Sequence, residues 1–220
     1  MIDAVVFDVD GTLVDTNYQH TIAWFRAFSR FQVTLPIWRI HRAIGMGGDQ
    51  LVAAVAGDEV EREHGDELRA AWTEEYGEFL PHVQPFAGAV PLLQAVRDRG
   101  LSVVLATSGE SEHVEHYLEL IDGRRLADAW TTADDAEQSK PAPDLVQTAM
   151  KKMRTSRAVM IGDSVWDAKA AAGAGISTFA LRTGGFSAAE LEAAGASKVY
   201  DSLDELHDDL DTVIGAGSPT

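Results

Sequence analysis

The stretch Val5-Val6-Phe7-Asp8-Val9-Asp10-Gly11-Thr12-Leu13 sets two carboxylates two residues apart at the end of an apolar run. β-Branched and aromatic residues ended by glycine predict a buried strand running into a sharp loop. Side chains alternate along a strand, so Asp8 and Asp10 would share one face. Two like charges roughly 4 Å apart, at an effective dielectric near 20, repel by about 4 kcal/mol. A fold accommodates that repulsion when a cation lies between the groups, or when the two titrate apart and do different work. Solvated turn residues are the competing reading. Metal-binding sites of nucleotide-sugar transferases share the spacing, so the pair alone does not decide.

Three later segments add weight, each where a strand is expected to end. Leu101-Ser102-Val103-Val104-Leu105-Ala106-Thr107-Ser108-Gly109 delivers a hydroxyl and then a turn whose amides can face an anion, although Thr107 could equally cap a helix. Ser139-Lys140-Pro141-Ala142-Pro143-Asp144 places a lysine before a proline-stiffened backbone, with Pro143 suited to a first helical turn. Val159-Met160-Ile161-Gly162-Asp163-Ser164-Val165-Trp166-Asp167 ends another strand in two carboxylates four residues apart. Here Asp163 could be a helix cap and Asp167 an ordinary first-turn acid. Each bland reading stands singly; four together in this order do not.

The set resembles the haloacid-dehalogenase superfamily of phosphohydrolases, whose motifs are Asp-x-Asp-Gly-Thr, a strand-terminal Thr or Ser, a Lys before a Pro-rich turn, and Gly-Asp-x-x-x-Asp. The resemblance extends to phosphoglycolate phosphatase and β-phosphoglucomutase-like proteins, and covers nearly the whole chain. It implies Asp8 as a nucleophile that becomes an aspartyl-phosphate, and Asp10 as general acid and then base. It implies Mg²⁺ held by Asp8, the Asp10 backbone carbonyl and Asp163, with Asp167 orienting that shell. Thr107, Ser108 and Lys140 would bind the phosphoryl oxygens beside Gly11 and Thr12 of the first motif. Halide leaves without a proton, so the carboxylate of Asp10 favours phosphoryl transfer over dehalogenation. The Lys and His pattern of phosphonate-cleaving relatives is not evident in the residues that would form their cap. A response-regulator receiver, which accepts phosphate on Asp without catalysis, is the reading from a different class; it is about half this length and has no helical insertion.

Net charge is −17 over 220 residues, 45% of them hydrophobic. That supports one sizeable core with a lesser module, and opposes nucleic-acid and anionic-membrane partners. There is no cysteine for disulfide or thiol chemistry. The first residues lack a basic region and a long apolar run, so a cytoplasmic location is expected. The resemblance implies a small phosphorylated metabolite as substrate, and a monomer or homodimer is expected.

Strands alternate with helices from Phe86 onward, which predicts an α/β fold: a doubly wound, Rossmann-like parallel sheet. Residues 16–80 show only helical patterning. Residues 1–15 and 81–220 are therefore expected to form a discontinuous catalytic core, with 16–80 as an inserted helical cap. The first cap helix carries Tyr18, Ile22, Phe25 and Phe28 near helical spacing. Substrate choice is expected in the cap, from the loop Gly45-Met46-Gly47-Gly48-Asp49 and from His20, with Arg39, His41 and Arg42 as further cations. β-Phosphoglucomutases carry a histidine near the position of His20 and an Arg in the loop matching Gly47-Gly48; the Arg is missing here, which favours hydrolysis over mutase chemistry. The acidic stretch Asp201 to Asp211 shows no firm element, and Gly215 to Thr220 reads as disordered.

Overall fold

In the computed structural model, which describes residues 2–216, the first strand, β1 (Ala4–Phe7), is buried along its whole length. A strand buried on both faces belongs inside a parallel sheet sandwiched by helices. After β1 come β2 (Val14–Asp15) and four helices, α1 (Asn17–Arg30), α2 (Ile37–His41), α3 (Gly48–Ala56) and α4 (Asp58–Gly77). The chain returns through β3 (Gln84–Pro85), α5 (Ala89–Asp98), β4 (Ser102–Ala106), α6 (Ser111–Leu120), α7 (Gly123–Leu126) and β5 (Ala129–Thr131). It continues as α8 (Asp144–Lys152), β6 (Ala158–Gly162), α9 (Val165–Ala174) and β7 (Ser177–Leu181). It finishes with α10 (Ala188–Ala193), β8 (Ala196–Tyr200), α11 (Leu203–Asp208) and α12 (Leu210–Ala216).

Six strands form one parallel sheet in the order β5-β4-β1-β6-β7-β8. The period of two divides its side chains. Val5, Phe7, Val103, Leu105, Val159 and Ile161 join the core on one face, and Ala4, Val6, Val104, Ala106, Ala158 and Met160 that on the other. The second face is closed by α8 and α9 through Val146, Ala149, Ala170 and Ala171. Phe7 lies in register with Leu105 on one side and Ile161 on the other. The carboxyl ends of β4, β1 and β6 therefore stand side by side, at the place where sheets of this kind bind ligands.

All four helices α1–α4 lie between β2 and β3, which pair antiparallel as a two-residue ribbon, Val14 with Pro85 and Asp15 with Gln84. The ribbon ties together the outgoing and returning chain. Strands this short leave no periodicity to read, so the sequence gives no sign of them.

Two expectations need correction. The first cap helix forms, but Tyr18, Ile22 and Phe25 are on its exposed side, 56%, 36% and 39% accessible. The buried stripe is His20, Ala23, Trp24, Ala27 and Phe28, whose spacing is equally helical. The acidic tail is also structured: Leu203, Leu206, Leu210 and Val213 recur at helical spacing and are buried. Charge in that segment masked its apolar face. Gly215 lies in α12, while residues 217–220 of the expected disordered end are outside the described part.

Candidate active site

Where β1 ends, Asp8 is buried and both its oxygens are engaged. Lys140 donates to Oδ1 at 2.5 Å and the Thr12 hydroxyl to Oδ2 at 3.0 Å. Thr12 also lies 3.0 Å from Oδ1 of Asp163, whose Oδ2 accepts from the Asn17 amide at 2.7 Å. Lys140 is fully buried, and its ammonium lies 2.8 Å from Oδ1 of Asp167, a charge contact without hydrogen-bond alignment. The other Asp167 oxygen closes a capping box with Ser164 at the start of α9. Ser164, not Asp163, is thus the helix cap, which leaves Asp163 free for the site.

One ammonium touches two of the three buried carboxylates here, Asp8 and Asp167. Burial, with the nearby charges of Asp167 and Asp10, pushes the Asp8 carboxyl up to about 7 against the pull of Lys140. Burial, then Asp167 and Asp8, pushes Asp163 up as well. Burial would lower Lys140, but Asp167 and Asp8 outweigh it and hold the lysine protonated. One oxygen from each of Asp8, Asp163 and Asp167 lies within 4.8 Å of the others. An all-oxygen set with two negative charges in excess suits a hard divalent cation such as Mg²⁺. The triad could hold one. Two glycines make room for the Asp163 carboxylate: a Cβ on Gly184 would stand 1.8 Å from its Oδ2, and one on Gly11 2.4 Å from the same atom. Gly11 also adopts φ +75, which L side chains rarely adopt.

Asp10 turns to a different set of partners. It accepts from the Thr16 hydroxyl at 2.8 Å and the Thr107 hydroxyl at 3.0 Å, and His20 Nε2 lies 2.9 Å from its Oδ1. Burial raises this carboxyl, but His20, through its hydrogen bond and charge, outweighs that with Thr16 and Thr107 and holds it at about 2. Thr107 in turn accepts the Gly109 N–H at 2.9 Å. The two carboxylates of the first motif therefore sit in contrasting surroundings.

Asp8, Asp10, His20 and Ser108 line one cavity with Trp24, Ile44, Met46 and Trp72. Gly47 does not line it; its Cα faces Ser139, where a Cβ would stand 2.2 Å from Oγ, while Gly45 and Gly48 border the space. The other expected cap cations point elsewhere. Arg42 pairs with Glu190 on α10 and covers the Phe186 ring at 3.8 Å. His41 stacks on Tyr18 at 4.9 Å, and burial, with the Arg42 charge beside it, pushes its imidazole down. Arg39 lines neither this cavity nor the cleft that adjoins it.

Sequence reasoning passed over Thr16, Asn17, Gly184 and the aromatic wall. Thr16 and Asn17 are polar residues opening a helix directly after the acidic loop, which was a usable signal. His20 stacks on Tyr76 at 3.9 Å, and Trp24 on Trp72 at 5.3 Å. The Tyr76 and Tyr117 hydroxyls meet at 2.5 Å between α4 and α6. Aromatic residues far apart in sequence give no local pattern from which such a wall could be read.

A parallel sheet carrying this acidic, lysine-bearing cluster at its carboxyl edge defines a hydrolase core with an inserted helical cap. The profile of the haloacid dehalogenase-like hydrolases matches residues 2–175, and the chain belongs to that family. A hydrolase from Pseudomonas syringae superimposes with a TM-score of 0.89 at 32% identity, covering 96% of this chain and 98% of that one. Phosphonoacetaldehyde hydrolase of Bordetella pertussis is 30% identical over 158 residues, covering 64% of this chain but only 57% of that protein. Validoxylamine A 7'-phosphate phosphatase of Streptomyces hygroscopicus subsp. limoneus is 29% identical over 191 residues, covering 83% and 87%. No helix among the described residues is long and apolar enough to cross a membrane.

Proposed function

We propose that the protein is a Mg²⁺-dependent phosphatase that hydrolyses a small phosphorylated metabolite through an aspartyl-phosphate on Asp8. The observation that carries this reading is the separation of Asp8 and Asp10 into two partner sets that face one cavity. Asp8 attacks phosphorus and the bond to the leaving alcohol breaks, with the Asp10 carboxyl giving that oxygen its proton. The Asp10 carboxylate then takes a proton from water, whose oxygen attacks phosphorus and frees Asp8. His20, 2.9 Å from Asp10, is a neighbour able to carry the proton that this carboxyl must deliver. Lys140, Thr107 and Ser108 neutralise and orient the phosphoryl oxygens. Mg²⁺, held at Asp8 and Asp163 with Asp167 beside them, would screen the repulsion between anions. On this reading residues 1–15 and 81–220 carry the chemistry, and 16–80 close over it.

Two relatives of this reaction fit less well. Residues 16–80 contain no lysine, so the Lys and His pattern of phosphonate-cleaving caps is missing. The mutase reading needs a cap cation for a second phosphate. Arg69, the cap arginine that lines the adjoining cleft, is already engaged by Glu61 and Asp66. The test is phosphate release from an aryl phosphate with Mg²⁺. Release that stops on chelation supports the proposal, and an inert enzyme refutes it. β-Glucose 1-phosphate should give no glucose 6-phosphate; its formation would favour the mutase.

A further inference from the structure

The reaction cavity, about 50 Å³, lies over Asp8 and Asp10 and opens to the surface. Trp72, Ser108 and Gly48 also line a second cleft of about 290 Å³, between the α3–α4 side of the cap and the core loops around residues 108–110 and 133–139. The alcohol part of a substrate held over Asp8 can extend into this cleft, because the two spaces share that wall. Four carboxylates line that cleft: Asp49, Glu110, Asp134 and Glu137. The partners of the first three are neutral donors. Thr73 serves Glu110, Ser111 serves Asp134, and the Ser139 N–H serves Asp49. Arg69 is the one cation among the lining residues, and it is used up on Glu61, Asp66 and the Gly48 carbonyl.

Acidic groups alone would mark nothing, but a second observation points to a ligand. Trp72, 8% exposed, lines both spaces, and its Nε1–H has no acceptor; the Ser108 hydroxyl is also buried without a partner. Buried donors left unmade are costly, so an oxygen-bearing ligand beside them meets a need. Its apolar ring face would find the indole of Trp72.

We propose that this site selects phosphomonoesters whose alcohol carries no second anion and is favoured when it carries an amine, as in an amino sugar or amino-polyol phosphate. The proposal rests on the phosphatase reading above and names its substrate class. A carboxylate or second phosphate would enter a space holding four uncompensated negative charges and be turned away by repulsion. An ammonium there would complete the cleft.

The test compares kcat/KM of the Mg²⁺-loaded protein on three matched esters: glucosamine 1-phosphate, glucose 1-phosphate and glucuronic acid 1-phosphate. The expected order is amine, then neutral, then acid, with about tenfold or more from first to last at low salt, narrowing at high salt as screening takes over. Combining Glu110→Gln with Glu137→Gln should shrink the amine-to-acid ratio several-fold. Equal efficiency on amine and acid esters, or a ratio unmoved by the double substitution, overturns the charge rule while aryl phosphate hydrolysis leaves the phosphatase reading standing. An enzyme inert even on aryl phosphate breaks that reading, and the rule with it.

Discussion

The core and cap walls of the reaction cavity are held together in opposite ways. On the core side, Asp8 lines the cavity and is held by a buried cluster behind it, in which Thr12, Lys140, Asp163 and Asp167 join through short polar contacts. On the cap side, His20, Trp24, Trp72 and Tyr76 stack as rings, and Trp72 Nε1 and His20 Nδ1 have no partner. Chemistry on an anion needs charges fixed before the substrate arrives, which the sheet edge supplies. Selection needs a surface that closes on the substrate and completes its contacts on binding, which stacked helices supply. Damage to the core wall should therefore lower turnover of every substrate, and damage to the cap wall should redistribute KM among substrates.

The largest effect is expected at Asp8. Asp8→Asn removes the proposed nucleophile and relieves the carboxylate crowding, so the protein should stay folded and lose about a thousandfold or more in kcat on all phosphate esters. A variant that keeps more than about a hundredth of wild-type activity would sink the assignment. Gly184→Ala should come next, because its methyl would stand 1.8 Å from Asp163 Oδ2. Mg²⁺ titration of activity should show affinity weakened by about 10–100-fold, the range for disturbing the surroundings of a metal site. Unchanged Mg²⁺ dependence would remove Asp163 from the metal site.

The buried carboxylates of the core also make stability depend on pH. Asp8 is raised from 3.8 to about 7 by burial and neighbouring carboxylates, and Asp163 moves the same way. Without metal, the folded protein therefore binds protons that the unfolded chain has released. Stability should fall as pH rises from about 4 through about 7, by an amount on the order of a few kcal/mol, and remain low above that. Mg²⁺ replaces those protons, so denaturation curves at high pH should recover with the ion. Metal-free stability that rises across this interval would contradict the excess of buried negative charge.

Cap substitutions should act on smaller scales. Trp72→Ala should cost about 3–5 kcal/mol of stability, as large aromatic truncations do. Its KM should rise more than its kcat falls, whereas an equal loss in both would move Trp72 into the catalytic step. Arg42→Ala breaks a half-exposed pair with Glu190 and should shift stability by less than about 1 kcal/mol, with little change in kinetics. A large KM effect would return Arg42 to the substrate site.

The same contrast explains what could be read from the sequence. Asp8 and Asp163 were legible because each ends a strand that the parallel sheet brings beside the other, Asp167 because it stands four residues after Asp163, and Lys140 because it precedes a proline-stiffened turn. Asn17 was not legible because its partner, Asp163, lies 146 positions away, whereas Thr16 meets Asp10 only six positions off and was overlooked. Tyr18, Ile22 and Phe25 have helical spacing, yet so do Ala23, Trp24, Ala27 and Phe28, and only packing against the other helices decides which stripe is covered. In the acidic tail, Leu203, Leu206, Leu210 and Val213 carried a readable helical period, overlooked among the charges. Cap cations were the weakest inference: Arg42 and His41 found partners on the protein itself.

The most direct test of the account is to look for the phosphoryl group on Asp8. Protein loaded with Mg²⁺ is mixed in excess with an aryl phosphate, quenched in acid within one turnover and digested, and the peptide that begins at the chain start is weighed. One added phosphoryl group on that peptide, located at Asp8 and missing from Asp8→Asn, is the expected result. Phosphate released at the wild-type rate with no phosphoryl group passing through Asp8 would contradict it.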